Sequence, residues 1–228
     1  MTFSGARRLG LMGGTFNPVH LGHLRAAEEI SEHLGLDRVV FMPAARAPHK
    51  PGLDLASFGH RLTMLNFAVR GQDRFRVSDL ENGLPGPSYT ANTLEEVAAR
   101  LDEGCRLFFL VGFDSFRTVG QWHRCLDLFR LASFVVFRRP GLGSGLSSVG
   151  EVLARILGPF PEMEADGSGQ GGTLSWAGFQ PVHYYPGCRL EISSTDLRNR
   201  LVLGDSVRYL VPDSVREYIE ANSLYHSS

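Results

Sequence analysis

The chain has 228 residues, 43% of them hydrophobic, and a formal net charge of −1. That length and apolar content can bury one sizeable core, so a single domain over residues 1–228 is expected, and the near-zero charge excludes a general nucleic-acid or membrane surface while leaving room for a local basic site. No apolar run reaches the ~18 residues of a membrane span, and Met1 to Arg8 lacks the long apolar core of a signal peptide, so a cytoplasmic protein is expected. Cys105, Cys125 and Cys188, with no CxxC pair, read as reduced thiols rather than a disulfide framework.

Taken in chain order, the apolar run Leu9 to Met12 reads as a strand that ends at Gly13 and Gly14. Two glycines can take φ > 0 and carry no Cβ to hold a ligand away from the backbone, which leaves a gap the size of a phosphate. Beyond Pro18, the spacing of Leu21, Leu24, Ala27 and Ile30 is helical, so the unpaired N–H groups of a helix N-terminus face the glycine turn, a setting for an anion. His20 and His23 sit in the first turn on one helix face. Taken alone, the pair reads as one His that caps the helix and one that packs; the glycine turn and helix start beside it point instead to a shared bound group. A zinc site lacks a third ligand at metal-site spacing. The pattern is neither GxGxxG nor GxxxxGK[ST], which points away from dehydrogenases and P-loop enzymes.

The stretch Gly13-Gly14-Thr15-Phe16-Asn17-Pro18, followed by His20-Leu21-Gly22-His23, resembles the signature of the nucleotidyltransferase superfamily with the HxGH motif. More narrowly, it is similar to bacterial nicotinate-nucleotide adenylyltransferases. Asn17 stands where that family often has Asp, a change that keeps a hydrogen-bonding role. The first helix should close near Gly35, and Arg38 to Met42 reads as a buried strand, giving a parallel pair with a right-handed crossover. Pro43 to Pro51 is then a proline-stiffened loop on the ligand edge of the sheet. Lys50 is the one lysine among 23 Lys and Arg residues. Surface chance or a compact charge on phosphate both account for it. Pro48-His49-Lys50 matches a PHK motif of the family, and the resemblance implies mononucleotide binding by Lys50, with Arg46 nearby.

A helix over Phe58 to Val69 and a short strand at Phe75 to Ser78 follow. Thr90 or Asn92 would serve as N-cap of a helix running through Leu101. Ser88 to Leu94 also resembles the family's SYTxDTL motif, which implies a mononucleotide contact at Thr90. Arg106 to Gly112 is a nearly continuous apolar run, as expected of a central parallel strand. Asp114, just after it, reads as a helix cap or, by the family's GxD motif, as a ribose ligand. Trp122 reads as a core residue at a helix start or, with His123, as the family's aromatic platform for a pyridinium ring.

Ser133 to Arg138 is the next strand. Residues 141–180 then change composition, with glycine-rich runs around a helix near Glu151 to Leu157, and read as a flexible insert. Val182 to Tyr185 is expected as an edge strand. Glu191 to Leu201 holds Ser193, Ser194 and Thr195 as N-caps, with Arg198 one turn inside, where a cation opposes the helix dipole unless an anion sits there. This stretch closely matches the family's ISSTxxR motif, and a proline-led helix near Tyr209 to Ile219 closes the chain.

The expected fold is α/β, a Rossmann-like doubly wound parallel sheet with C-terminal helices. The resemblance implies transfer of AMP from ATP to nicotinate mononucleotide, releasing pyrophosphate. His20, His23 and Arg198 would be catalytic. Gly13, Gly14, Thr15, Phe16, Ser194, Thr195 and Asp114 would bind ATP. Magnesium would arrive on ATP, with no protein metal site, and a homo-oligomer is compatible with the chain. Other superfamily transferases, an inert nucleotide-sensing module and a metal hydrolase are the alternatives.

Overall fold

The computed structural model describes residues 2–46, 55–138, 145–158, 162–165, 171–187 and 190–225. In chain order the first half forms β1 (Arg8–Gly14), α1 (Leu21–Leu34), β2 (Arg38–Pro43), α2 (Phe58–Ala68), β3 (Phe75–Val77), α3 (Leu80–Gly83), α4 (Thr90–Ala98) and β4 (Arg106–Gly112). There follow α5 (Phe113–Phe116), a 3₁₀ turn at Val119–Gln121, α6 (Cys125–Leu131), β5 (Ser133–Phe137), α7 (Leu146–Leu157), β6 (Glu162–Ala165), β7 (Gly172–Ser175), β8 (Val182–Tyr185), α8 (Ser194–Leu203) and α9 (Asp213–Ala221).

The strands make one sheet in the order β3-β2-β1-β4-β5-β8-β7-β6. From β3 to β8 every pairing is parallel. The order reverses between β1 and β4, the switch point where open α/β sheets form a crevice at the C-terminal ends of their strands. The central strands are buried on both faces, as continuous apolar runs require. Leu9, Leu11 and Phe109 pack into one core layer with α4 and α6, while Met12, Phe108 and Leu110 pack into the other with α1, α8 and α9. Gly10 is there for space, since a Cβ would lie 2.9 Å from Leu36 Cδ1. No helix among the described residues is long and apolar enough to cross a membrane.

Several expectations are corrected. Gly13 and Gly14 belong to β1 and have no positive φ; the left-handed residue of the turn is Phe16, at φ 49°. The glycines instead give clearance, because a Cβ on Gly13 would lie 3.3 Å from the Phe109 ring and one on Gly14 3.1 Å from the Phe16 ring. Tyr89, not Thr90 or Asn92, is the N-cap of α4, without a side-chain cap bond, and the helix ends at Ala98. Trp122 follows the 3₁₀ turn rather than starting a helix. Strand β8 is not an edge. It lies between β5 and β7, and β7 and β6 add an antiparallel extension that makes β6 the edge. The described part of the 141–180 stretch therefore holds α7, β6 and β7, with Val149 and Leu153 of α7 in the core layer that takes Leu174, Val182 and Tyr184. Cys105 and Cys125 are free and half-buried; Cys188 lies outside the described residues.

Candidate active site

A cleft of about 490 Å³ opens at the switch point. One end is walled by Gly13, Gly14, Thr15, Phe16 and His23 from the β1–α1 turn and by Ser194, Thr195 and Arg198 from the start of α8. The other end is walled by Asp114, which follows β4, and by Thr90 and Trp122.

His20 is the N-cap of α1, with extended backbone at φ −147° and ψ 168°. Its ring is 2% exposed and stacks on His23 at 3.6 Å between centroids, and it lines a small recess beside the main cleft with Phe137 and Arg138. The His20 backbone N–H donates to His23 Nδ1 at 3.3 Å. A ring nitrogen that accepts cannot carry a proton, so neutral His23 holds its hydrogen on Nε2, the form that donates to an anionic oxygen. The Phe16 ring meets His23 edge-on at 5.0 Å. Gly22 permits the stack, since a Cβ there would lie 3.0 Å from His20 Nδ1 and 3.2 Å from His20 Cε1.

Helix α8 begins with Ser193, whose hydroxyl accepts from the Thr195 N–H at 3.2 Å. Ser194 Oγ donates to Pro18 O at 2.9 Å, and Arg198 Nη1 donates to Asn17 O at 2.8 Å and to Ser194 O at 3.1 Å. These bonds tie together two motifs about 180 residues apart in sequence and bring the starts of α1 and α8 to one cleft. Arg198 Nη2 reaches Thr195 Oγ1 at 3.3 Å. Among the described residues, all these Arg198 partners are neutral oxygens.

Asn17 is 2% exposed; its Oδ1 accepts from Ala56 N at 3.0 Å and from the Tyr225 hydroxyl at 2.7 Å. An amide oxygen thus meets the hydrogen-bonding demand at this position without a negative charge. At the far end, Trp122 Nε1 donates to Thr118 Oγ1 at 3.4 Å, and its ring stands edge-on to Phe109 at 6.4 Å. His123 is exposed and stacks on Tyr89 at 4.5 Å, beside the cleft lining rather than within it. Arg46 is exposed at the rim, its Nη1 donating to Gly86 O at 3.2 Å and its N–H to Ser88 Oγ at 3.0 Å. Lys50 lies outside the described residues.

Two residues that the sequence did not single out line or underlie the cleft. Glu81, buried, accepts from Thr93 Oγ1 at 2.8 Å and from Ala45 N at 3.3 Å, joining α4 to the exit of β2. Arg61 is buried beneath the β1–α1 turn. Their residue types are common on helices, and their partners are distant in sequence. Among the described residues, no group of three His, Cys, Asp or Glu side chains comes together as a metal cage.

The switch-point cleft, two converging helix starts, stacked imidazoles and an arginine bonded to neutral oxygens define an α/β protein of the Rossmann-like class. Comparison with known proteins gives the same class independently: residues 11–200 match the model of the cytidylyltransferase-like family. A relative in Trichlorobacter lovleyi, named "Probable nicotinate-nucleotide adenylyltransferase", is 40% identical over 220 residues, 96% of this chain and 99% of its own. One of the same name in Geobacter sp. strain M21 is 42% identical over 219 residues, 96% of this chain and 98% of its own. Among solved structures, the Plasmodium falciparum nicotinic acid mononucleotide adenylyltransferase complexed with NaAD shares the fold at TM-score 0.69 and 17% identity, over 96% of this chain and 97% of its own. The chain belongs to the cytidylyltransferase-like nucleotidyltransferases, and within them to the nicotinate-nucleotide adenylyltransferase family.

Proposed function

We propose that the protein joins ATP to nicotinate mononucleotide, giving nicotinate adenine dinucleotide and pyrophosphate, and that the residues of the switch-point cleft carry the reaction. The observation that supports this most directly is the meeting of the α1 and α8 starts, held by Ser194 Oγ on Pro18 O and Arg198 on Asn17 O. Two helix N-termini and a guanidinium facing one space suit a triphosphate.

In this reading the mononucleotide phosphate attacks the α-phosphorus of ATP in line, and no side chain becomes covalently attached. Catalysis is then positioning plus stabilisation of charge on the non-reacting and leaving oxygens. His23 donates from Nε2 to a phosphate oxygen. His20 acts with it, holding its ring orientation through the stack and the backbone N–H bond. Gly13, Gly14, Thr15 and Phe16 let the phosphates approach the backbone, and Ser194, Thr195 and Arg198 hold the β- and γ-phosphates. Asp114 accepts from ribose hydroxyls. At the acceptor end, Trp122 and Thr90 contact the nicotinate portion, with Lys50, Arg46 and His123 around the mononucleotide.

Magnesium carried on ATP would neutralise triphosphate charge. The cleft fits a metal carried in this way, because among the described residues the carboxylates lining it are Asp114 and Glu81, and Glu81 is already engaged by Thr93 and Ala45. We place the enzyme, with its ATP, in the cytoplasm.

Pyrophosphate release from MgATP, measured in parallel with nicotinate mononucleotide, nicotinamide mononucleotide and pantetheine phosphate, tests the proposal. Release with nicotinate mononucleotide at the highest kcat/KM is expected. Preference for another acceptor would overturn the roles given to Lys50, Thr90 and Trp122, and silence with all three would overturn the activity.

A further inference from the structure

Arg61 occupies a position that costs stability. It is 3% exposed and lies in the first turn of α2, where a cation runs against the helix dipole. Burial pulls its pKa below the ordinary arginine range, with Tyr225 and Glu81 opposing that at longer range. An arginine nonetheless stays charged in a protein. Among the described residues its hydrogen bonds all go to carbonyl oxygens: Nε to Ala56 O at 3.0 Å, and Nη1 to Thr15 O at 2.9 Å and Ala44 O at 2.8 Å. A buried guanidinium without a carboxylate in contact is a poor stabilising device. Its partners suggest another use.

Thr15 and Ala44 line the cleft, and Ala56 follows Leu55, which also lines it. Thr15 is in the turn that faces the phosphates. Ala44 follows β2, and its own N–H donates to Gly14 O at 2.8 Å. Ala56 stands at the return into α2, and its N–H donates to Asn17 Oδ1 at 3.0 Å. Ala44 and Ala56 thus flank the segment that contains Lys50, and both are bonded to the β1–α1 turn. The planar fork of one arginine fixes all three chain segments together.

We infer that Arg61 is a positioning residue that holds the turn at Thr15, the chain leaving β2 at Ala44 and the entry to α2 at Ala56 in one arrangement, so that the walls of the cleft that meet the two substrates are aligned by a single buried cation. This rests on the function proposed above.

The test is steady-state kinetics of wild type, Arg61→Met and Arg61→Lys, varying ATP and nicotinate mononucleotide separately, with thermal unfolding of each variant. Loss of alignment in Arg61→Met should lower kcat by about 10²-fold and raise KM for both substrates, the scale of a misplacement of about 1 Å. Arg61→Lys keeps the charge but not the fork and should recover only part of both effects. A merely structural role would lower the melting temperature and leave kcat and both KM values unchanged per folded molecule, which would overturn the inference. Should Arg61→Met fail to fold, Arg61→Lys decides alone, and wild-type kcat and KM values in it would overturn the inference. If wild type releases no pyrophosphate with any acceptor, the proposed function falls separately. ATP binding by the folded variants then decides for Arg61: weaker binding supports the positioning role and unchanged binding refutes it.

Discussion

His183 should make the fold sensitive to acid. Its ring lies on β8, with Nδ1 hydrogen-bonded to Thr173 Oγ1 of β7 at 2.9 Å, while Nε2 is buried without a partner among the described residues. Burial first, and then the positive charges of Arg106, Arg8 and His33, push its pKa down from the ordinary 6.5 to about 4. The folded protein therefore holds it neutral, whereas the unfolded chain takes up a proton as pH falls below 6.5. The contribution to stability is complete above pH 6.5 and is lost as pH falls through the folded value near 4. At about 1.4 kcal/mol per pH unit over that window, the full loss is about 3 kcal/mol, a large share of the 5–15 kcal/mol typical of a domain. The assay is urea unfolding of wild type and His183→Gln at steps from pH 7.5 to 4. Glutamine can still donate to Thr173 Oγ1 but does not titrate. The difference in unfolding free energy between the two proteins should change by about 3 kcal/mol in favour of the variant across the window. Parallel curves would refute the reasoning and mean that the His183 ring is solvated or protonated in the fold.

Further predictions concern the cleft. His23→Ala should lower kcat by about 10²–10³-fold, the cost of one charge-stabilising donor, and near-normal turnover would refute its role. Gly22→Ala pushes on the His20 ring, so a soluble, folded variant with kcat reduced by about tenfold or more is expected, and circular dichroism with kinetics would separate misfolding from misplacement. Arg198→Ala removes a charged donor and should raise KM for ATP by about 10–10²-fold, measured at saturating mononucleotide. An unchanged KM would place the triphosphate elsewhere.

Much of the site is local backbone chemistry, which the amino-acid order carries directly. The HxGH stretch, the Ser193-Ser194-Thr195 start of α8 and the apolar run of β4 are legible because caps, periodicity and burial on both faces depend on neighbours a few residues away. Asn17 shows how the two levels divide. Its chemistry as a donor and acceptor was evident, but its partners are Ala56 and Tyr225, the latter 208 residues along the chain. Arg61 and Glu81 went unnoticed for the same reason, since a buried arginine and a solvated one look alike in sequence.

The stretch at 141–180 illustrates the limit from the other side. Its glycines read as linker, yet Gly172 lies in β7, where only glycine fits because a Cβ would come 2.5 Å from Glu164 O of the neighbouring strand. Strand β8 alternates buried Val182 and Tyr184 with half-buried His183 and Tyr185, and such a pattern does not say whether another strand pairs beside it. The order of residues by itself determined the central strands, the starts of α1 and α8 and the chemical types that surround the cleft, but not the start of α4 or the strands β6 and β7. Only the tertiary structure decided which backbone groups Arg198 and Arg61 hold, which partners Asn17 meets and where β8 sits in the sheet, because each depends on atoms that folding brings together from distant parts of the chain.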